Sequence, residues 1–442
     1  MLTMGFCNPL ANVLSKSNMP LSLKGKKQET RNQSETNADA MHNKNRFRRA
    51  LKTAPFCNPA AMLLSFLMLV PPAVTANDWP CWRGPERNGI SSEKGWRSDW
   101  PPDGPPIVWK ASVGLGFSSI SIANGRAFTV GHANEQDTVF CLDAKSGKEF
   151  WKHSYPAELG DKYFEGGTTG TPTVDGDRVF TLSRWGDVFC FQAAGGKIIW
   201  NRNLPKETGV RVPGWGYGGS PTVHENILLL NVGEAGMALD KTTGKTLWQS
   251  ADKDAGYSTP LHCQEQGKWV VLLGSEKSYL AVDLLTGKEQ WRMKWLTQYG
   301  VNAPDPIPNA DRVFISTGYG KGAILIKPKE QAEPEVLWKS KVLGTQLNGA
   351  VLLDGYLYGL DGDAGDTAPL KCVEYATGIE KWTYPRIGTG GVIASDGKLI
   401  VTGSKGELML FKATPAEPKI LARVQVLGGK CWTAPVLANG CI

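Results

Sequence analysis

The chain has 442 residues, 41% of them hydrophobic, enough to bury a sizeable core and too apolar for a disordered chain. Its formal charge is +7, yet the first 76 residues carry ten of the 49 Lys and Arg and three of the 42 Asp and Glu, leaving 39 of each sign in the rest. That neutral remainder excludes a broadly basic nucleic-acid-binding surface.

Residues 1–76 read as a lead and signal peptide. Lys44, Arg46, Arg48, Arg49 and Lys52 form a basic region, and 60–70 is an apolar core too short for an ordinary membrane span. Val74, Thr75 and Ala76 suit a signal-peptidase site, so cleavage is expected after Ala76, with export to the periplasm or cell envelope and no membrane span afterwards. Cys57 precedes the apolar core, so no lipobox follows it. Residues 77–105, rich in Pro, Gly and Trp, read as an irregular strap.

From residue 106 onward one short phrase recurs: apolar, Asp, two residues, Thr or Ser or Gly, Gly, then a Trp four residues later. Copies end at Trp151, Trp200, Trp248, Trp291 and Trp382, while Trp109 and Trp338 keep the Trp alone. The intervals between successive Trp are 42, 49, 48, 43, 47 and 44 residues. Repeats of that period predict propeller blades of four short strands. Gly147, Gly196, Gly244, Gly287 and Gly378 stand where a tight turn needs positive φ, and the Asp is placed to bond backbone N–H groups two residues on. The Trp is expected to bury its ring between adjacent sheets, provided its N–H finds a partner. A second signal runs in phase. Asn124-Gly125, Asp175-Gly176, Asp354-Gly355, Asp396-Gly397 and Asn439-Gly440 are type I′ turn pairs between apolar runs.

The phrase A-x-D-x-x-T-G-x-x-x-W, the opening 78–95 and the segment 431–440 together resemble the exported pyrroloquinoline-quinone (PQQ)-like propellers of planctomycete-type bacteria. The resemblance runs through nearly all of 78–440. It implies an all-β, eight-bladed β-propeller over 106–442, with seven blades as the alternative. Blades are expected near 117–151, 170–200, 219–248, 258–291, 307–338, 347–382 and 389–423. An eighth would start at Trp432 and be closed by the strand around Trp109. Only two residues follow Asn439-Gly440, so the eighth blade is expected to be incomplete, with an open seam, through truncation of the gene or a naturally shorter blade.

Seven cysteines follow residue 76. Cys141, Cys190 and Cys372 occupy equivalent strand positions and are expected to pack as small hydrophobes; Cys81 and Cys431 are placed to bridge the two ends of the ring. Histidines 132, 153, 224 and 262 are scattered, and no metalloprotease, haem-attachment or nucleophile-elbow motif occurs. Asp361, Asp363 and Asp366 lack the spacing of a calcium loop and read as an acidic hairpin loop.

Chemistry, if any, belongs to the entrance loops before each innermost strand, which a propeller gathers around its channel mouth. PQQ with calcium would need an aromatic platform, cationic or amide partners, and oxygen ligands. Trp215, Tyr217, Tyr257 and Trp432 are the stacking candidates, and Lys430 the anion partner. Asn302 and Asn348 complete the cofactor set, Glu165 and Asp305 the metal set, and Asp305 is the base candidate for oxidising a hydroxyl. The same residues also suit tight loops and a filled channel mouth. The quinoprotein dehydrogenases carry an adjacent Cys-Cys pair and many a haem domain, and this chain has neither. The first reading is therefore a monomeric binding or protein-interaction scaffold. It would meet envelope proteins or a small ligand at the channel mouth. The second is a PQQ- and calcium-dependent alcohol or polyol dehydrogenase, and a sugar-polymer binder is a third.

Overall fold

The computed structural model describes residues 2–4, 77–162, 164–253 and 255–442. The proposed signal peptide, its cleavage site and Cys57 lie outside the described residues.

Residues 121–425 fold into seven antiparallel four-stranded sheets, each a meander in chain order. The blades span 121–156, 173–203, 222–249, 261–294, 307–340, 351–384 and 391–425, close to the expected boundaries. One short helix, Leu204–Thr208, links blades two and three. Among the described residues no helix is long and apolar enough to cross a membrane.

Apolar contact between blades builds the ring. Phe128, Val139 and Trp151 of blade one pack against Val174, Val179 and Phe191 of blade two. Comparable clusters join each later pair. The circuit returns to its start through Ile393 and Leu410 of blade seven, Ile122 and Leu142 of blade one, and Val436 and Leu437 between them. The protein is an all-β propeller.

The repeated Trp and Gly hold one blade to the next. Trp151 Nε1 donates to Ala193 O of the following blade at 2.9 Å, Trp200 to Lys241 O, Trp248 to Leu284 O, Trp338 to Tyr375 O and Trp382 to Thr414 O. Each of the first four rings also lies flat on the glycine of that same turn. A Cβ at Gly196, where φ is +70°, would stand 2.5 Å from the Trp151 ring. The glycine is thus needed twice, for its φ and for the ring above it. Asp143 and Asp240 brace the turns by accepting from the backbone N–H groups two and three residues further on, and Asp283 from that of Thr286, three on. Blade five lacks the phrase, and the Trp291 indole bonds instead to Glu265 Oε2 at 2.8 Å.

The inner hairpins follow expectation at 124–125, 354–355 and 396–397, where both residues have positive φ. Blade two departs from it. Asp175 pairs with Arg178, so Gly176 and Asp177 make the turn. Glu225, Gln266 and Ala310 carry positive φ in turns the sequence does not advertise.

No ladder forms in 432–442, which contributes a single bridge between Ala438 and Cys441. The segment nevertheless spans the gap between blades seven and one. Thr433 Oγ1 donates to Phe117 O at 2.7 Å, and its carbonyl accepts from Thr402 Oγ1 at 2.8 Å. Trp109–Ala111 pairs antiparallel with Leu2–Met4, residues that precede the expected cleavage site, so cleavage after Ala76 would leave that edge open. A cavity of about 170 Å³ remains at the seam, lined by residues of both flanking blades.

The strap is a staple inside the ring. Trp79 bridges Ile122 of blade one, and the Pro80 carbonyl accepts from Val174 N of blade two. Arg87 donates to Val223 O of blade three, Trp82 to Asp305 beside blade five, and Arg83 to Gly349 O and Ala350 O beside blade six. Ile90–Ser91 then joins blade seven as a parallel fifth strand. The cysteine expectation divides. Cys141, Cys190 and Cys372 are buried as predicted, whereas Cys81 and Cys431 are free thiols and do not bridge the ends.

Candidate functional site

The entrance loops converge through a relay of hydrogen bonds around the axis. Ser119 N donates to Thr171 Oγ1 at 3.1 Å, Thr171 N to Ser220 Oγ at 2.9 Å, Ser220 N to Thr259 Oγ1 at 3.0 Å and Thr259 N to Asp305 Oδ1 at 2.7 Å. One position per blade thus supplies a side-chain acceptor for the previous backbone. A hydroxyl or carboxylate recurs there because each turn of the ring leaves one buried N–H to satisfy.

Asp305 ends the relay. Its Oδ2 accepts from Trp82 Nε1 at 2.8 Å, and burial pushes its carboxyl up from the usual range while the nearby Arg83 guanidinium pulls it back. Arg83 spends its own donors on the carbonyls of Asn88, Gly349 and Ala350.

Above Asp305 lies a cavity of about 260 Å³. Its walls include the rings of Trp82, Phe117, Phe164, Trp215, Tyr257, Tyr319 and Trp432. Trp432 stacks on Phe117 with centroids 4.9 Å apart, and Trp215 meets Tyr257 edge-on at 6.0 Å. Arg184 holds this wall together. It donates to Leu159 O, Gly167 O and Trp215 O, and its guanidinium covers the Phe164 ring.

The structure brings Trp215, Tyr257, Asp305, Asn348 and Trp432 to the cavity and leaves the other candidates elsewhere. Tyr217 is fully buried in the core between blades two and three, its hydroxyl bonded to Arg211 O. Asn302 is also fully buried, and its amide ties Ser275, Glu276 and Trp295 carbonyls together. Asn348 spends its amide on Gly390 O and Trp432 O, closing blade six onto the seam. Lys430 and Glu165 pair with each other at the rim, with Lys430 over the Trp432 ring, and that partnership holds the Glu165 carboxyl below its usual range. Sequence reasoning missed Trp82, Phe164 and Tyr319. The first sits in the strap, whose path the repeat logic does not predict.

The donor set does not fit PQQ with calcium. A fused three-ring quinone bearing carboxylates needs cationic partners, and among the described residues no Lys or Arg lines the cavity. Calcium takes six to eight oxygens. The lining offers one carboxylate, with both oxygens already bonded, and among the described residues no three His, Cys, Asp or Glu gather as metal ligands. The volume also falls just below the roughly 300–1,000 Å³ typical of drug-sized ligands.

Comparison with known proteins agrees with this architecture. A family model described as outer membrane protein assembly factor BamB matches residues 135–384, more than half of the chain. BamB from Moraxella catarrhalis superposes with a TM-score of 0.55 at 15% identity, over 73% of this chain and 94% of that one. A europium-containing methanol dehydrogenase gives 0.62 at 13% identity, over 81% and 87%. Quinohemoprotein alcohol dehydrogenase from Comamonas testosteroni gives 0.58 at 14%, over 81% and 74%. At such identities the structural likenesses establish the fold alone. No curated protein matches the sequence.

Proposed function

Because the chain belongs to the PQQ-like repeat family whose model is described as outer membrane protein assembly factor BamB, we propose that it is a binding or protein-interaction scaffold rather than a quinoprotein dehydrogenase. One observation carries this reading. Asp305, the single carboxylate of the cavity among the described residues, is occupied as a structural acceptor for Thr259 and Trp82, and no group of metal ligands gathers among those residues. A general base must reach the proton it abstracts, and both oxygens of this one face the ring and the strap.

The scaffold works as an exported monomer in the periplasm or cell envelope. The basic stretch before the 60–70 apolar core and the Val74-Thr75-Ala76 sequence support export. Its partners are envelope proteins that meet the entrance loops, or a small ligand at the channel mouth. The neutral balance of 77–442 argues against nucleic acid. Dye-linked oxidation of a panel of alcohols and polyols, with PQQ and calcium supplied, tests the assignment. No turnover above background by folded protein is expected, and turnover abolished by Asp305→Asn would replace the scaffold with the dehydrogenase. Amino-terminal sequencing of protein from the envelope fraction tests export, with Asn77 the expected first residue.

A further inference from the structure

The cavity above Asp305 has a composition that selects a ligand. Seven aromatic side chains wall it, and its one formal charge is negative. The electron-rich faces of such rings attract cations, more strongly once water is excluded. Two of these rings already hold a cation, Phe164 under Arg184 at 4.9 Å and Trp432 under Lys430 at 4.5 Å.

Most polar groups of the lining are turned to other tasks, although Gln346 Oε1 is buried there without a hydrogen-bond partner. Thr169 donates to Tyr217 O, Ser220 and Thr259 accept within the relay, and the Asn348 amide is divided between Gly390 and Trp432. A sugar needs several hydrogen-bond partners for its hydroxyls, since each one buried unpaired loses its bonds to water without replacement. A quaternary ammonium group needs none. It needs chiefly ring faces, and the carboxylate at the cavity floor, Asp305, is bonded to Trp82 and Thr259 with the Arg83 guanidinium nearby, so the rings carry most of the attraction.

We propose that this cavity binds a small organic cation of the alkylammonium class, held by the rings of Trp82, Trp215, Tyr257 and Trp432 above the Asp305 carboxylate. The inference rests on the scaffold reading and names the ligand of its channel mouth.

The test is a titration of the full 442-residue protein with choline and, separately, with its uncharged isostere 3,3-dimethylbutan-1-ol, followed by tryptophan fluorescence. Methyl glucoside and PQQ with calcium serve as further probes. Saturable quenching by choline is expected, about tenfold tighter than the isostere, because cation–π contact strengthens once water is excluded. Trp215→Leu should weaken choline binding about tenfold and leave the melting curve intact; Asp305→Asn should weaken it less wherever it folds. Equal binding of choline and isostere, tighter binding of methyl glucoside, or no choline response from folded protein overturns the cation inference alone. Calcium-dependent PQQ binding overturns the scaffold reading as well.

Discussion

The indole of Trp109 donates to the Ala144 carbonyl at 3.1 Å and lies against Gly147, so a residue before blade one docks as Trp151, Trp200, Trp248 and Trp338 dock on the blades that follow them. Trp109 thus docks on blade one, although among the described residues no eighth four-stranded sheet forms and Trp109–Ala111 pairs with Leu2–Met4 alone. Trp109→Ala should cost about 2–3 kcal/mol, somewhat less than the 3–5 of a fully buried Trp because the ring is half exposed. Urea denaturation measures it. A loss under 0.5 kcal/mol would mean that the docking contributes nothing.

Glycine in the outer turns answers two demands, and substitution separates them. Gly125 has φ +71° with open space around its Cβ direction, so Gly125→Ala should cost about 1–2 kcal/mol, the strain of a left-handed residue. Gly196→Ala meets the Trp151 ring as well and should cost about 2–3 kcal/mol more. Equal losses for the two in chemical denaturation would contradict the role given to the ring.

Asp305 and Trp82 should behave as one unit. Asp305→Asn and Trp82→Phe each remove a buried hydrogen-bond partner, for about 1–3 kcal/mol. In the double mutant the losses should fall short of additivity by about 0.5–2 kcal/mol. Additive losses would detach the carboxylate from the strap. A dehydrogenase base would instead show little stability change in Asp305→Asn and a collapse in rate.

The His262 ring provides a pH test. Burial pushes it down to about 3, and Arg87 and His224 add repulsion. An unfolded His takes up its proton near pH 6.5. A depressed folded value means the stability contributed by neutral His262 is present above about pH 6.5 and is lost as pH falls toward 3. Buried Glu93, Glu265 and Asp305 are raised and act with the opposite sign, their contribution fading as pH rises through their folded values. The difference between wild type and His262→Gln isolates the histidine. From neutral pH to about pH 4 the wild type should lose more melting temperature than the variant, and parallel curves would contradict the assignment.

What the sequence made legible is what repeats. Trp151, Gly196 and the Asn124-Gly125 turn are read directly because each blade restates them. The turn at Gly176-Asp177 was displaced by one residue because Asp175 takes a ladder position opposite Arg178. Of what happens once, only the gathering of entrance-loop residues such as Trp215, Tyr257 and Trp432 at one cavity was readable. The strap's contacts with almost every blade, the 4.6 Å approach of His224 to His262, and the diversion of Asn302 into backbone carbonyls all join residues far apart in sequence. Tyr217 illustrates the limit. It sits in an entrance loop like Trp215 and Tyr257, yet its ring turns into the core and its hydroxyl finds Arg211 O.

Titration of the purified protein with PQQ, with and without calcium, followed by tryptophan fluorescence, tests the central claim most directly. Trp82, Trp215 and Trp432 all line the cavity, so occupancy would be seen. The scaffold account predicts no saturable calcium-dependent quenching by cooperatively folded protein. Saturable quenching that needs calcium and disappears in Asp305→Asn would contradict it.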